Sequence, residues 1–308
     1  MRNKIIIGLC IAAVVCSCGK TGNKAEDVRK EKAKELEQWK AALRVGVTPT
    51  MDCLPVFIVK DSVPYDTTRL DLRLRIYNSH LDCDTALARG GVKGSATELV
   101  RAERLQRTGT ALTYPISTDL RWRLVANKKA RLKDISQFSD KMIAMTRFSM
   151  TDFLTEEVKA KAKAKLKYPL YKVQVNDVIT RLGMILGNEM DAAWMTEPQA
   201  TIALSQGHDI VEGCPIDSLA MGVIAFRHAD MTTERDEEQI DEFIKAYDKA
   251  CTLIEKNGTA HYSDIIRKYM GVTQNIIGKL PRQKYDKAHS PYPADLEAAR
   301  RRLIKTKK

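Results

Sequence analysis

The chain has 308 residues, 44% of them hydrophobic and 29% charged, and lysine plus arginine exceed aspartate plus glutamate by 51 to 39, a formal net charge of +12. That length can bury a sizeable core and suggests two lobes or one large domain. The positive excess lies in scattered lysines and a basic C-terminus, with no basic run interleaved with aromatics, so it reads as a solvated surface and argues against nucleic acid as a partner.

At the N-terminus, Arg2 and Lys4 precede an apolar run from Ile5 to Val15 and then small residues. This is the order of an export signal, and the run is too short to span a bilayer. Gly19-Lys20-Thr21 does not end a phosphate-binding loop, because such a loop needs a glycine at position 14, where Val14 stands. Val15-Cys16-Ser17-Cys18 resembles the bacterial lipobox, with Cys18 as the lipidated residue; bulky Val15 makes Cys16 the weaker choice. An ordinary secretory signal cleaved nearby is the alternative. Residues 1–17 are therefore expected to be a signal peptide. Residues 18–42, rich in Lys, Glu and Ala, are expected to be a lipidated tether, helical in part at most. A stable anchor needs more than one acyl chain. The mature protein would then work in the periplasm or at the cell surface, held to a membrane through Cys18.

Beyond the tether, Leu43 to Val47 alternates like a strand and Thr48-Pro49-Thr50 turns the chain. Asp52 can cap a helix with Pro55 in its first turn, and Leu70 to Tyr77 alternates again. Asp84 to Ala88 reads as a short helix, Val92 to Ala96 as a strand, and Glu98 to Leu105 as a helix. The pattern then repeats: strands at Arg121 to Ala126, Lys141 to Met145, Tyr171 to Val175 and Ala192 to Met195, and helices at Leu132 to Phe138, Thr151 to Lys165 and Val178 to Leu186. Leu219 to Phe226 is an apolar strand. The long helix after it carries Ile240, Phe243, Ile244, Tyr247, Cys251 and Ile254 on one face and ends near Gly258. Strand and helix alternating in this way predict α/β architecture with parallel sheets.

Of the cysteines beyond Cys18, neither Cys53, Cys83, Cys214 nor Cys251 has a partner at metal-ligand or Cys-x-x-Cys spacing. Cys53 with Cys83 is a conceivable disulfide in an oxidising compartment, but separate buried thiols are the expected state. The five histidines read as surface residues, with His208 in a turn after Gly207.

Several stretches in order carry a resemblance. The first half offers Arg44-Val45-Gly46-Val47-Thr48-Pro49, Asp82-Cys83-Asp84-Thr85-Ala86-Leu87 and Val92-Lys93-Gly94-Ser95-Ala96-Thr97-Glu98. The second offers Lys141 to Met145 with Ser149-Met150-Thr151, and Asp191-Ala192-Ala193-Trp194 with Glu197-Pro198-Gln199-Ala200-Thr201. Together they resemble the type 2 periplasmic solute-binding proteins of ABC importers, in the branch that serves sulfonates, nitrate and thiamine precursors. Lys93, where an acidic residue is expected, and Glu98, where Asp is expected, depart from that pattern.

The resemblance implies a two-lobed α/β fold, the type 2 periplasmic-binding-protein fold, with a ligand cleft between the lobes. Residues 43–118 and 219–280 would form lobe 1, residues 119–218 lobe 2 with crossing segments near Pro115 to Arg123 and Cys214 to Met221, and residues 281–308 a basic C-terminal tail. Ligands of open α/β sheets bind beyond the carboxyl ends of strands, where helix N-termini offer free amides. The candidate ligand-binding residues there are Thr48, Thr50, Thr97, Ser149, Thr151 and Glu197, with Ser117 and Thr118 in the first crossing segment. Their hydroxyls can donate to a polar or anionic group, and Arg147 can add a charge-assisted bond. Ser149, Thr151 and Thr97 can equally cap helices. Glu197 can orient an amine or hold a hinge, and Trp194 and Asp191 read as structural.

The implied function is capture of a small anionic or thiamine-precursor-like solute for an ABC permease, by a monomer with no cofactor and no chemistry of its own. An enzyme on the same fold, like the thiamine-pyrimidine synthases, would carry a compact cysteine cluster that this sequence lacks. A surface sensor or adhesion lipoprotein is a third possibility.

Overall fold

The computed structural model describes residues 21–163, 166–212 and 221–305. The expected signal peptide, Cys18 and all but Met221 of the second crossing segment expected over Cys214 to Met221 lie outside the described residues. The chain divides into two units, one through Ala42 and one from Leu43 onward. The first contains helix α1 (Thr21–Ala41). Partial helix was predicted, yet the whole described stretch is helical. Ala, Glu and Lys are strong helix formers, and the exposed Lys30–Glu26 pair adds an i,i+4 contact of 2.8 Å.

The second unit begins with β1 (Leu43–Val47), α2 (Leu54–Asp61), β2 (Leu72–Ile76), α3 (His80–Ala88), β3 (Gly94–Glu98), α4 (Leu99–Arg107) and β4 (Leu112–Thr118). It continues with β5 (Arg123–Ala126), β6 (Met142–Met145), α5 (Met150–Ala162), β7 (Tyr171–Gln174), α6 (Val178–Leu186), β8 (Ala192–Met195), α7 (Gln199–Ser205) and β9 (Asp209–Ile210). After β10 (Gly222–Arg227) come α8 (Glu234–Asn257), α9 (Ser263–Met270), α10 (Gln274–Ile277) and α11 (Pro293–Lys305). The strands form two five-stranded sheets, ordered β2-β1-β3-β10-β4 and β7-β6-β8-β5-β9. Each has the same plan. In the first, β1 runs parallel to β2 and β3 while β10 lies antiparallel to β3 and β4; in the second, β6 runs parallel to β7 and β8 while β5 lies antiparallel to β8 and β9. Since β4 belongs to the first sheet and β5 to the second, the chain crosses between them in the few residues from Asp119 to Trp122.

One face of the first sheet packs on α2, α8 and α9, where Phe57, Phe243, Tyr247 and Ile266 are buried and the Phe57 and Tyr269 rings stack at 4.2 Å. The long α8 fits this face because its apolar residues recur every three or four positions. Thr233 caps its start by accepting from the Asp236 amide, and Gly258, at φ 77°, ends it. A second apolar cluster runs from α4 through Leu120 and Trp122 into the second sheet and α5, so the two lobes share a continuous core on one side. The far face of the second sheet packs on α6 and α7 through Leu182, Ile185, Ala200 and Ala203.

Some local predictions need correction. Asp52 is not the cap of α2: the N-cap is Cys53, without a side-chain bond, and Asp52 lies buried in a 3₁₀ turn from Met51 to Cys53. Helix α3 starts earlier than expected because Ser79 caps it, accepting from the Asp82 amide. Ser117 and Thr118 close strand β4 and are not crossing-segment residues. The Pro-containing stretch ends in α11, which packs on α4 and anchors there through Arg300 and Glu103 at 2.7 Å.

Candidate functional site

The carboxyl ends of β1, β2 and β3 face those of β6, β7 and β8 across a closed cleft. Backbone and side-chain bonds already span it. The Met51 amide donates to the Glu197 carbonyl (2.8 Å), Val178 to Asn78 (2.8 Å), and the Gln199 side chain to the Pro49 carbonyl (3.0 Å). The amide of Met150, at the start of α5, donates to the Glu98 carboxylate of the opposite lobe (2.9 Å). Between these bonds lies a cavity of about 20 Å3, room for about one water. His80, Glu98 and Arg101 line it from the first lobe, and Thr146, Thr151 and Arg181 from the second.

This wall is charged yet nearly dry. Asp84 receives bonds from Arg101 and from Thr97. Arg181 donates to the Val175 carbonyl, to the Trp194 carbonyl (3.0 Å) and to the Thr146 hydroxyl. Burial lowers the Arg181 pKa to about 10, against the pull of nearby Glu98, and the guanidinium stays charged. Glu98, 1% exposed, is pushed up by burial to about 7 in spite of Arg101 and the Met150 amide. His80 is pushed down by burial, and then by Arg101 and Arg181, to about 3. Its ring is therefore neutral, and its Nε2 has no hydrogen-bond partner among the described residues.

Hydroxyl bookkeeping separates capping from binding at the start of α5. Ser149 Oγ accepts from the Thr151 and Asp152 amides and lies 2.7 Å from Thr151 Oγ1. Thr151 Oγ1 also accepts from the Thr146 amide (2.9 Å). A hydroxyl has one proton and two lone pairs. Ser149, with both lone pairs engaged, must donate to Thr151. Thr151 then has both lone pairs filled and its own proton free for the cavity. Ser149 is the cap and Thr151 the available donor.

The other predicted residues scatter. Thr48 and Thr50 bond each other at 2.7 Å beside Cys53 and do not line the cavity. Thr97 sits one bond behind it, on Asp84. Arg147 contributes only its carbonyl, to Arg101 at 3.3 Å, and its exposed guanidinium lies over the Phe148 ring. The guanidiniums that line the cavity are those of Arg101 and Arg181, which the sequence motifs do not single out. Arg181 was visible as a cation on the Val178, Leu182, Ile185 stripe of α6. Histidine needs correction too: His208 is buried and accepts from the Lys128 amide, and His80 lines the cavity. The departure at Lys93 also finds a partner, because its ammonium meets Asp236 at 2.6 Å away from the cleft.

Ser117, Thr118 and Glu197 go elsewhere, to the hinge side. Two adjoining voids of about 330 and 290 Å3 lie there, both lined by Asp52, Asp119, Arg121 and Lys284. Thr196 and Glu197 border the first, Ser117, Thr118 and Tyr285 the second. Cys53, Cys83 and Cys251 are free and buried, and burial raises the pKa of each thiol. Among the described residues, no group of three or more His, Cys, Asp or Glu is placed to hold a metal, and no helix is long and apolar enough to cross a membrane.

Two repeated five-stranded α/β lobes, a short crossing connection at Asp119 to Trp122 and a polar cleft match the fold of the periplasmic solute-binding proteins of ABC importers. A ligand-binding component of an ABC-type import system from Staphylococcus aureus, solved with zinc bound, superposes with a TM-score of 0.71 at 15% identity, over 86% of this chain and 91% of its own. The alkanesulfonate-binding protein SsuA from Xanthomonas axonopodis pv. citri, bound to MOPS, gives 0.69 at 14% identity over 85% and 90%. The periplasmic nitrate-binding protein NrtA from Synechocystis PCC 6803 gives 0.68 at 12% identity over 86% and 81%. No family model and no curated relative matches the chain.

Proposed function

We propose that this chain is an extracytoplasmic solute-binding lipoprotein, anchored through Cys18, that captures a small anionic solute for an ABC permease and performs no chemistry of its own. The observation that carries this reading is the pair of buried arginines, one from each lobe, facing one cavity beside the free Thr151 proton and the neutral His80 ring. Two guanidiniums and a helix N-terminus form a field for negative charge. The closed cavity holds no more than about one water, so the solute must enter an open form and close the lobes around itself. On closure its anionic group would replace the Glu98 carboxylate at the Met150 amide.

The lobes would be residues 43–118 with 219–280, and residues 119–218. The likeness in fold to sulfonate- and nitrate-binding proteins supports transport over catalysis. The test is a thermal-shift screen, confirmed by calorimetry, of protein beginning after Cys18 against sulfonates, nitrate, bicarbonate, amino acids and thiamine precursors. A ligand at one hundred times its Kd stabilises by about 2.7 kcal/mol, so one chemical class should raise the midpoint. Folded protein that answers to none of them would overturn the reading. Lipidation is tested by labelled-palmitate incorporation, expected in the full chain and lost in Cys18→Ala.

A further inference from the structure

The start of α4 presents a row of side chains to the opposite lobe. Glu98, Arg101 and Arg104 recur every three residues, which sets them on the same side of the helix. Each meets the turn between β6 and α5. Glu98 accepts from the Met150 amide (2.9 Å), Arg101 donates to the Arg147 carbonyl (3.3 Å), and the Arg104 guanidinium lies 4.1 Å from the centre of the Phe148 ring. Helix α11 extends the row. It is fixed to α4 by Arg300 on Glu103 (2.7 Å) and by the buried Ala299 and Leu303, and its Arg302 guanidinium lies 4.3 Å from the centre of the Phe153 ring, in the first turn of α5. None of these residues lines the two voids of the hinge chamber, so the row is a separate seam between the lobes.

The turn on the far side of the seam is held in an uncommon shape. Phe148 has φ 57°, a left-handed conformation that bulky side chains rarely adopt and that persists only where the surroundings hold it. Its amide donates to the Asp152 carboxylate (2.8 Å), and its ring takes the Arg104 guanidinium from the other lobe. A guanidinium over an aromatic face is attracted by the ring quadrupole, more strongly as water is withdrawn, and Phe148, Phe153 and Arg302 are all half-buried. Opening the lobes about the crossing segment draws α4 away from this turn, and with it α11, which is fastened to α4, away from Phe153.

We propose that α11 is a clasp between the lobes: Arg302, together with Arg104, holds the start of α5 against α4 and keeps the cleft closed. The stretch that reads in the sequence as a basic tail is then a positioning element for the cleft. Its effect on solute retention rests on the solute-binding reading above, whereas closure of the unliganded chain does not.

The test reads closure without any solute, in protein beginning after Cys18. The Met51, Met150 and Val178 amides bond across the cleft, whereas the Tyr77 and Val175 amides bond to Val47 and Met145 within one lobe. Hydrogen exchange followed by NMR should find the three crossing amides protected in the wild type. In Arg104→Gln/Arg302→Gln they should exchange about tenfold faster, with the two intralobe amides nearly unchanged. Arg301→Gln, an exposed neighbour on α11 that meets Glu297, should behave like the wild type. If the double variant does not fold, Phe153→Leu carries the test: it keeps an apolar side chain but removes the ring, and the crossing amides should speed up severalfold. Crossing amides that are unprotected in the wild type, equal acceleration of both sets, or no acceleration in the variant tested would overturn the proposal. A silent anion screen leaves these rates untouched, so failure of the clasp and failure of the solute-binding reading are told apart.

Discussion

The cleft cavity and the hinge chamber lie between the same two lobes, yet their charges are arranged in opposite ways. In the cleft, the charged groups are answered, Asp84 by Arg101 and Thr97, Glu98 by the Met150 amide, and Arg181 by two carbonyls and a hydroxyl, around about 20 Å3 of space, and the neutral His80 Nε2 is left without a partner among the described residues. In the chamber, about 330 Å3 is lined by Asp52, whose Oδ1 is buried and has no donor among the described residues. A satisfied buried network is rigid and holds the lobes together without a ligand, whereas an unsatisfied one raises the energy of the empty protein. An anion entering the cleft must therefore displace an internal partner, and its affinity is a difference between two sets of bonds.

The largest effect should come from breaking the satisfied side. Arg181→Met leaves the Val175 and Trp194 carbonyls and the Thr146 hydroxyl without their donor inside the second lobe. Urea unfolding should show a loss of about 3 kcal/mol, and anion binding should vanish. A loss well under 1 kcal/mol would mean that the cleft network is not structural, and the contrast with the chamber would fall.

Next comes a steric wedge at the join of the two regions. A Cβ on Gly222 would collide with Thr118 Oγ1 and lie 2.6 Å from Leu120 Cβ, and Thr118 donates to Asp52. Gly222→Ala should cost about 2 kcal/mol through overpacking, seen as a lower unfolding midpoint. The measurement that relates it to the comparison is anion affinity, which should change far less than stability.

Glu98→Gln sharpens the comparison through pH. Burial pushes the Glu98 carboxyl up to about 7, so above that pH it is ionised and stands where an anion's charge would go. As pH falls through 7, Glu98 takes up a proton and anion affinity should rise. Stability should follow the same sign: the folded pKa lies above the ordinary value of 4.5, so the charge penalty is present above pH 7, is relieved on descent and is gone below 4.5. In Glu98→Gln the anion titration should be flat between pH 6 and 8, with affinity at pH 8 about tenfold above the wild type, roughly 1.4 kcal/mol. Calorimetry that finds the same pH slope in both proteins would remove Glu98 from the site.

Much of the frame was legible in the sequence. The Val178–Leu186 helix and the Ala192–Met195 strand fall where the apolar spacing predicts them. The fourth strand was not legible because Pro115 reads as a break; β4 is an edge strand, where a missing N–H costs little. The site was legible in one respect only. Hydroxyls after strands announce themselves by position, and Ser149 and Thr151 do border the cavity. Arg101 and Arg181 reach it from helix faces, and nothing local in the sequence says that α4 and α6 point across the cleft at each other. Asp52 shows the same limit from the other direction. Its place before a helix suggests a cap, and only the packing of β4, the crossing segment and the Pro281 to Tyr292 stretch turns it into a buried carboxylate.

The smallest effect tests the assignment at the start of α5, where capping and binding were both open. Ser149→Ala removes the acceptor of the Thr151 and Asp152 amides and should lower stability by about 1 kcal/mol, with anion affinity nearly unchanged. Thr151→Val removes the hydroxyl proton that the Ser149–Thr151 bonding pattern leaves free, so it should weaken the anion severalfold in addition to its stability cost. The informative quantity is the ratio of the two effects within each variant, measured by calorimetry and urea unfolding on the same preparations. If Ser149→Ala loses the affinity and Thr151→Val keeps it, the proton between the two hydroxyls runs from Thr151 to Ser149, and the cleft presents its donor from the cap itself.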